Sequence, residues 1–425
     1  MPDLPAGLLL GWADAAPSTA PLGFASDTPD APTEAEPRPL WADDEGHLVT
    51  IGPTGSGKGR SAILPALLTY PGPVLVIDPK GEACAVTARY RETLGPVVRL
   101  DPYHVASEAS GSLNPFDLVL QTDMGTTEAA LLLADILAPR TFAKDPFWDN
   151  RATSLLSALI EVILLTGEPE QKHPARLREM MMSDDLTYSL AVLLDTQKGL
   201  KGTYAYEEIG QFLQLPDRET RPSVQATATQ HTVLLGDPAV ADALRSTSFD
   251  LEAVRRGDPL TIYLVLPPSK LRSHARLLRL WVATLLRVLM ARTERPETPT
   301  LFLLDEAAQL DTLEDLVTAM TLLRGYGVRV WSFWQDLQQM QRLYPSDWQT
   351  MVANAGVLQV FGSHWLGRAG LAALLDVVPG ALSVPPGRQL LVMADGTRTL
   401  ARKADVLRDA LFEGRRDANP MFRAR

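Results

Sequence analysis

From residue 47 onward, short runs of continuous apolar residues bounded by turn residues recur at 47–51, 74–78, 97–101, 261–266, 300–305, 328–334, 357–361 and 389–393. Runs that are continuous rather than alternating predict strands covered on both faces. Helical periodicity lies between several of them, so the pattern predicts an α/β protein with a mainly parallel, doubly wound sheet. Residues 7–12 predict one more strand, at a sheet edge. Residues 13–40, rich in Ala, Pro, Asp and Thr, predict a flexible connection, because they offer too little apolar area to order themselves.

Between about 124 and 235 the strand pattern disappears and helices are predicted at 126–137, 148–165, 174–182 and 186–194. This block predicts an all-helical domain inserted into the α/β core. The chain then divides into an N-terminal segment 1–44, a core of 45–123 and 236–425, and the insertion 124–235. After it, Leu277, Leu278, Trp281, Leu285, Val288 and Leu289 share one helical face, and Arg272, Arg276, Arg279 and Arg287 share the opposite one. Such a basic stripe predicts a solvated face, the alternative being contact with DNA or a neighbouring subunit.

Composition narrows the function. With 425 residues, 46% hydrophobic and 21% charged, a sizeable core is expected, and a formal charge of −11 excludes coating of nucleic acid by bulk positive field. Any DNA contact must be local. The single cysteine, Cys84, excludes an internal disulfide and suits a reducing compartment, buried beside the strand at 74–78. No stretch reaches the roughly 18 apolar residues of a membrane span, the start lacks a signal pattern, and the histidines are scattered. A cytoplasmic protein is expected, at most peripheral at the inner face of the cell membrane.

The candidate chemistry lies at strand ends. Gly52-Pro53-Thr54-Gly55-Ser56-Gly57-Lys58 follows the run 47–51 and precedes a helical stretch. Its glycines let backbone N–H groups turn toward phosphate oxygens, the helix N-terminus adds partial positive charge, and Lys58 reaches the β and γ phosphates. Gly59 and Arg60, opening the helix, complete the candidate nucleotide contacts. Gly59 stands where Ser or Thr usually ligates Mg²⁺, so the metal would rely on Asp305, phosphates and water. The run 300–305 ends in Asp305 and Glu306: Asp305 is expected to hold Mg²⁺ through water, and Glu306 to accept a proton from the attacking water. Asp78 either lies beside the phosphates or caps the helix after Asp78-Pro79-Lys80-Gly81-Glu82. Gln335, closing the run 328–334, is placed to sense the γ phosphate or orient water.

In this order the motifs resemble the type IV secretion coupling ATPases of the TraG/TraD type. The resemblance covers nearly all of 45–425. It rests on the Lys58-Gly59 loop, Tyr70-Pro71-Gly72, Asp78 to Glu82, Leu100-Asp101-Pro102, Leu113-Asn114-Pro115-Phe116, Phe147-Trp148, the strand 262–267, Asp305-Glu306, Tyr326-Gly327-Val328-Arg329 and Gln335-Asp336. It implies a RecA-like ATPase that uses ATP and Mg²⁺ to move single- or double-stranded DNA, or a relaxase bound to it, with the helical insertion meeting the transferred protein. It also implies type IV secretion channel components or a membrane anchor protein as partners. Many relatives begin with membrane-spanning helices, and this sequence shows none. The rival readings are a DNA-pumping ATPase of the HerA/FtsK kind and a nucleotide-dependent scaffold that does not hydrolyse. Because the motifs that carry Lys58, Asp305, Glu306 and Gln335 offer no obvious arginine for the transition state, a ring, most simply a homo-hexamer, is expected to supply Arg324 from a neighbour, with Arg276 and Arg279 in reserve.

Overall fold

Val74-Leu75-Val76-Ile77 is apolar at every position, and its side chains divide strictly between two layers: Leu75 and Ile77 join one core, Val74 and Val76 the other. The same division holds for Leu301 and Leu303 against Phe302 and Leu304, as a strand sandwiched between helices requires. The computed structural model describes residues 7–13, 37–42, 45–138, 146–362, 368–378 and 384–420.

Eleven strands form one sheet: β1 (Leu8–Ala13), β2 (Arg38–Ala42), β3 (His47–Ile51), β4 (Val74–Asp78), β5 (Val97–Leu100), β6 (Thr261–Val265), β7 (Thr300–Leu304), β8 (Val328–Trp334), β9 (Ala355–Val360), β10 (Arg388–Met393) and β11 (Arg398–Arg402). Their order is β2-β1-β11-β10-β9-β3-β8-β7-β4-β6-β5. From β9 to β5 every pairing is parallel, and from β10 to β2 every pairing is antiparallel. The expected doubly wound α/β fold is therefore present, with an antiparallel extension on one side.

That extension corrects two expectations. The first strand is not at the edge, because Arg38–Ala42, which begins inside the segment 13–40 read as flexible, pairs outside it. Residues 14–36 lie outside the described residues. Strand β11 was not expected because Arg398-Thr399-Leu400-Ala401-Arg402 has no apolar run; it is ordered by pairing with β10 and β1. A buried row of side chains fixes the register. Trp331 donates to Thr50 Oγ1 (2.7 Å), Thr50 to Gln359 Oε1 (2.7 Å), Gln359 to Gln389 Oε1 (2.5 Å) and Gln389 to the Leu10 carbonyl (2.5 Å). The side chains of Trp331, Thr50, Gln359 and Gln389 are thus paired although the sheet buries them. The Gln389 amide fits because residue 11 is glycine: a Cβ there would lie 2.3 Å from Gln389 Nε2.

Helices Leu64–Thr69 and Glu82–Glu92 cover one face, and Pro268–Met290 covers the other. Helices Thr126–Leu137 and Phe147–Thr166 pack together and join the apolar cluster of Pro268–Met290 and the sheet. Further helices, Pro174–Met181, Leu186–Thr196, Tyr204–Gln214 and Thr220–His231, follow where the strand pattern stops. The basic stripe of Pro268–Met290 is solvated only at its start, where Arg272 is exposed. Arg279 is only 7% exposed, and Arg287 donates at 2.7 Å to the buried carboxylate of Asp315, which helix Glu314–Leu322 brings alongside. This second covering layer also removes Arg279 as a reserve for action on a neighbour. Arg276 is half-buried, with its guanidinium on the His231 carbonyl at 3.4 Å. Among the described residues, no helix is long and apolar enough to cross a membrane.

Candidate nucleotide site

Strand order brings the distant motifs to one edge. The loop 52–58 leaves the end of β3, Asp305-Glu306 leaves β7, and β8 lies between them, so Gln335 emerges in the gap. On the far side of β7, β4 brings Asp78. All these strands are parallel, and their carboxyl ends form the crevice where open α/β sheets bind ligands.

The loop is held by one bond to the neighbouring strand and one within itself. Gly52 N donates to Trp334 O (3.0 Å), and Ser56 N to Pro53 O (3.1 Å). Gly55 and Gly57 take φ of 80° and 92°, a region that costs other L-residues roughly 1–2 kcal/mol. Gly52 is required for space instead, since a Cβ would meet Ser56 Oγ at 2.7 Å and Phe361 Cβ at 2.8 Å. Thr54 is exposed at the tip and Pro53 half-buried beside it. After Lys58 the chain forms a wide, π-type turn over Gly59–Ile63 before Leu64–Thr69. Gly59 is in the ordinary helical region, and nothing lies within 4 Å of the place a Cβ would occupy there. The Lys58 ammonium lies on the Gly52 carbonyl. Burial lowers its pKa, while the nearby carboxylates of Glu306 and Asp305 oppose the shift.

Opposite Lys58, Asp305 is crowded. Burial, then the charges of Asp78 and Glu306, push its carboxyl up to about 7, against the pull of Lys58 and Lys80. Asp78 is only 3% exposed and is itself raised to about 6 by burial. Its Oδ2 accepts from Cys84 N at 2.8 Å, so this carboxylate caps the next helix and at the same time loads the site with negative charge. Cys84 is buried beneath it, its thiol pushed up to about 12. Among the described residues, no three His, Cys, Asp or Glu side chains converge as a metal cage.

Glu306 has φ 61° and ψ 58°, a left-handed conformation strained for a glutamate by about 1–3 kcal/mol. It is held by its neighbour strand: Gln335 Nε2 donates to Glu306 Oε1 at 2.8 Å, and Gln335 N donates to Gln339 Oε1 at 2.9 Å. Gln335 is not a free surface amide. Asp405 holds the Arg60 guanidinium by two bonds of 2.6 and 2.5 Å. Arg324 is exposed in the turn Leu323–Tyr326, before β8, at the opposite end of the sheet from the loop. Its charge is felt there by His47, at the start of β3. The seven residues of β8 separate Arg324 from Gln335 by roughly 20 Å.

Two contributors had no signal in the sequence. Lys403 and Asp405 follow the unforeseen strand β11; Lys403 meets the loop at Ser56 across 347 positions, and Asp405 meets Arg60 just after it across 345.

A strand ending in Gln335, set between the phosphate-loop strand and the acidic strand, is the arrangement of a RecA-like P-loop nucleoside triphosphatase fold. Residues 26–364 match the family model described as type IV secretory system conjugative DNA transfer, and the chain belongs to that family. It is 28% identical over 304 residues to the conjugal transfer protein TraG of Agrobacterium fabrum, covering 70% of this chain and 45% of TraG. It is 29% identical over 348 residues to protein VirD4 of Rhizobium rhizogenes, covering 76% and 49%. The chain thus spans about half the length of these relatives. The fold is similar to that of the bacterial conjugative coupling protein TrwBdeltaN70, with a TM-score of 0.67 at 18% identity over 88% of this chain and 89% of that one. A second TrwB structure, in complex with ADP and Mg²⁺, gives 0.67 at 16% identity over the same shares.

Proposed function

We propose that this chain hydrolyses ATP and uses the energy to recruit and translocate DNA, or a relaxase bound to DNA, in conjugative transfer. The observation that carries this reading is the Gln335–Glu306 hydrogen bond beside Asp305 and across from Lys58. A protein that only switches with nucleotide does not need a buried-edge carboxylate held in strained backbone by a second residue.

The loop amides and Lys58 bind and orient the triphosphate. Asp305, crowded by the charges of Asp78 and Glu306, would hold Mg²⁺, which when bound would neutralise charge on the phosphates. Gly59 offers no hydroxyl to it. Gln335 aims one oxygen of Glu306, leaving the other to take the proton of the attacking water. TrwB structures with ADPNP and with ADP and Mg²⁺ support ATP and Mg²⁺ as ligands of this fold. The helical block 124–235 is the proposed meeting point with the transferred protein. Channel components or a membrane anchor protein are the proposed docking partners, and the working form a hexameric ring.

Steady-state ATPase measurement with and without single-stranded DNA tests the reading. Turnover stimulated by DNA is expected. Nucleotide binding without turnover, with DNA present or absent, would leave the scaffold.

A further inference from the structure

The phosphate loop is not held by its own residues alone. Lys403, just after β11, donates from Nζ to the Ser56 carbonyl at 2.9 Å and to the Phe361 carbonyl at 3.2 Å, and its ammonium stands 4.1 Å from the centre of the Phe361 ring. Phe361 N in turn donates to Ile51 O at 2.8 Å, immediately before the loop. Two residues on, Asp405 holds Arg60 by its bidentate pair, and Val406 N donates to Arg60 O at 3.3 Å. The segment 403–406 therefore grips the loop on one side and the first turn of the following helix on the other.

We infer that Lys403 is a positioning residue for the nucleotide reaction: by holding the Ser56 carbonyl outward, it presets the Gly57 N–H toward the phosphates. The argument is geometric. The Ser56–Gly57 peptide is trans and planar, so its C=O and N–H point in opposite directions. Fixing the carbonyl on Lys403 fixes the amide on the loop's inner side, where phosphate oxygens are cradled. Without that tie, Gly57 has the freest backbone in the chain's repertoire, and the peptide can rotate. Ordering the loop on each binding event would then cost affinity, which preorganisation avoids.

A charge-assisted bond also suits the place. Its acceptors are neutral carbonyls and a ring face, so the ammonium's charge is not cancelled by a carboxylate and adds to the positive field behind the phosphates. Lys403 touches neither Glu306 nor Gln335. Its effect falls on nucleotide binding in ground and transition state alike, which predicts a change in KM without a change in kcat.

This inference rests on the nucleotide-binding reading, and the experiment separates the two. Mg-ADP affinity by calorimetry and ATP turnover are measured for the whole chain, for Lys403→Met and for Lys403→Arg, with melting temperatures to show that each is folded. Binding by the unaltered chain tests the reading itself. Lys403→Met is expected to weaken Mg-ADP binding and raise KM roughly tenfold at nearly constant kcat, as the loss of one charged hydrogen bond implies. Lys403→Arg, keeping a cation of sufficient reach, is expected to restore most of the affinity. Unchanged affinity in a folded Lys403→Met, a fall in kcat at constant KM, or an Arg variant as weak as Met would each overturn the inference. Should Lys403→Met not fold, Lys403→Gln, which keeps the stem and a donor but not the charge, is judged by the same criteria.

Discussion

Gln335 and Glu306 are joined side chain to side chain across 2.8 Å, tying the ends of two adjacent parallel strands. The donor's own backbone is tied in turn, Gln335 N donating to Gln339 Oε1 at 2.9 Å.

Binding and turnover should therefore separate. Lys58→Ala is expected to lose nucleotide affinity, Glu306→Gln to keep affinity and lose turnover by about 10²–10⁴. Gln335→Ala leaves Glu306 unheld and should lower kcat by roughly 10- to 100-fold, the worth of one hydrogen bond to a charged group. Calorimetry and single-turnover kinetics check this. Equal losses of affinity in the Lys58 and Glu306 variants would refute the division of roles.

Gly59→Ser should be accepted, because the residue lies in the helical region and its Cβ position is open. A hydroxyl there offers the missing Mg²⁺ ligand, so half-maximal activity should be reached at lower Mg²⁺ concentration. Gly57→Ala is the contrast: at φ 92° it should cost roughly 1–2 kcal/mol and nucleotide affinity with it. A Gly59→Ser protein without activity would show that the helical turn cannot take even this side chain.

Much of this site was legible because its chemistry is local. A loop that turns its amides inward needs glycines in a row, and strands covered on both faces need continuous apolar residues, so the loop, β3, β4, β7 and β8 stand out. What failed was whatever depends on distant partners. Strands β2 and β11 carry no apolar run and exist through pairing. Arg287 looked solvated because Asp315, its partner, is far along the chain. Lys403 is a lone lysine until folding brings it to Ser56. Several family motifs also prove to be scaffolding. Asp101 accepts from the amides of Val105, Ala106 and Ser107, and Arg329 from β8 ties down the carbonyls of Gly46 and Ala42. Motif residues mark both chemistry and folding, and only the contacts distinguish them.

Stability should fall in mild acid through His47. It is 1% exposed, accepts from Val330 N at 3.1 Å through Nδ1, and is pushed down to about 4, chiefly by burial and then by Arg329 and Arg324. The folded value is depressed below the unfolded one, so the folded state resists a proton that the unfolded chain takes up below about 6.5. The contribution is whole above that pH and is lost as pH falls toward 4, amounting to roughly 2–4 kcal/mol. In His47→Asn, whose amide oxygen can still accept from Val330, the unfolding free energy should decline less over this window. Parallel curves for the two proteins would exclude His47 as the cause.

Arg324 should act on the nucleotide of a neighbouring subunit. In its own chain it sits a strand's length from the phosphate loop, and no movement of the exposed turn can bridge the sheet. The turn is nonetheless well held, since Arg292 donates to the carbonyls of Tyr326 and Gly327 at 3.1 and 3.0 Å, and it displays Leu322 and Tyr326, 65% and 42% exposed, on either side of Arg324. A rigid cation flanked by exposed apolar groups suits insertion into another copy of the chain. A helix end also favours a surface arginine through the helix dipole, and that reading predicts only a small effect. As a finger acting in trans, Arg324 should be worth about 10³–10⁵ in turnover. Mixing decides between them. Arg324→Ala and Glu306→Gln proteins, each inactive alone, should regain turnover when combined, because some interfaces then pair an intact Glu306 with an intact Arg324. Absence of recovery where mixed rings are demonstrated by native mass spectrometry would remove Arg324 from the reaction.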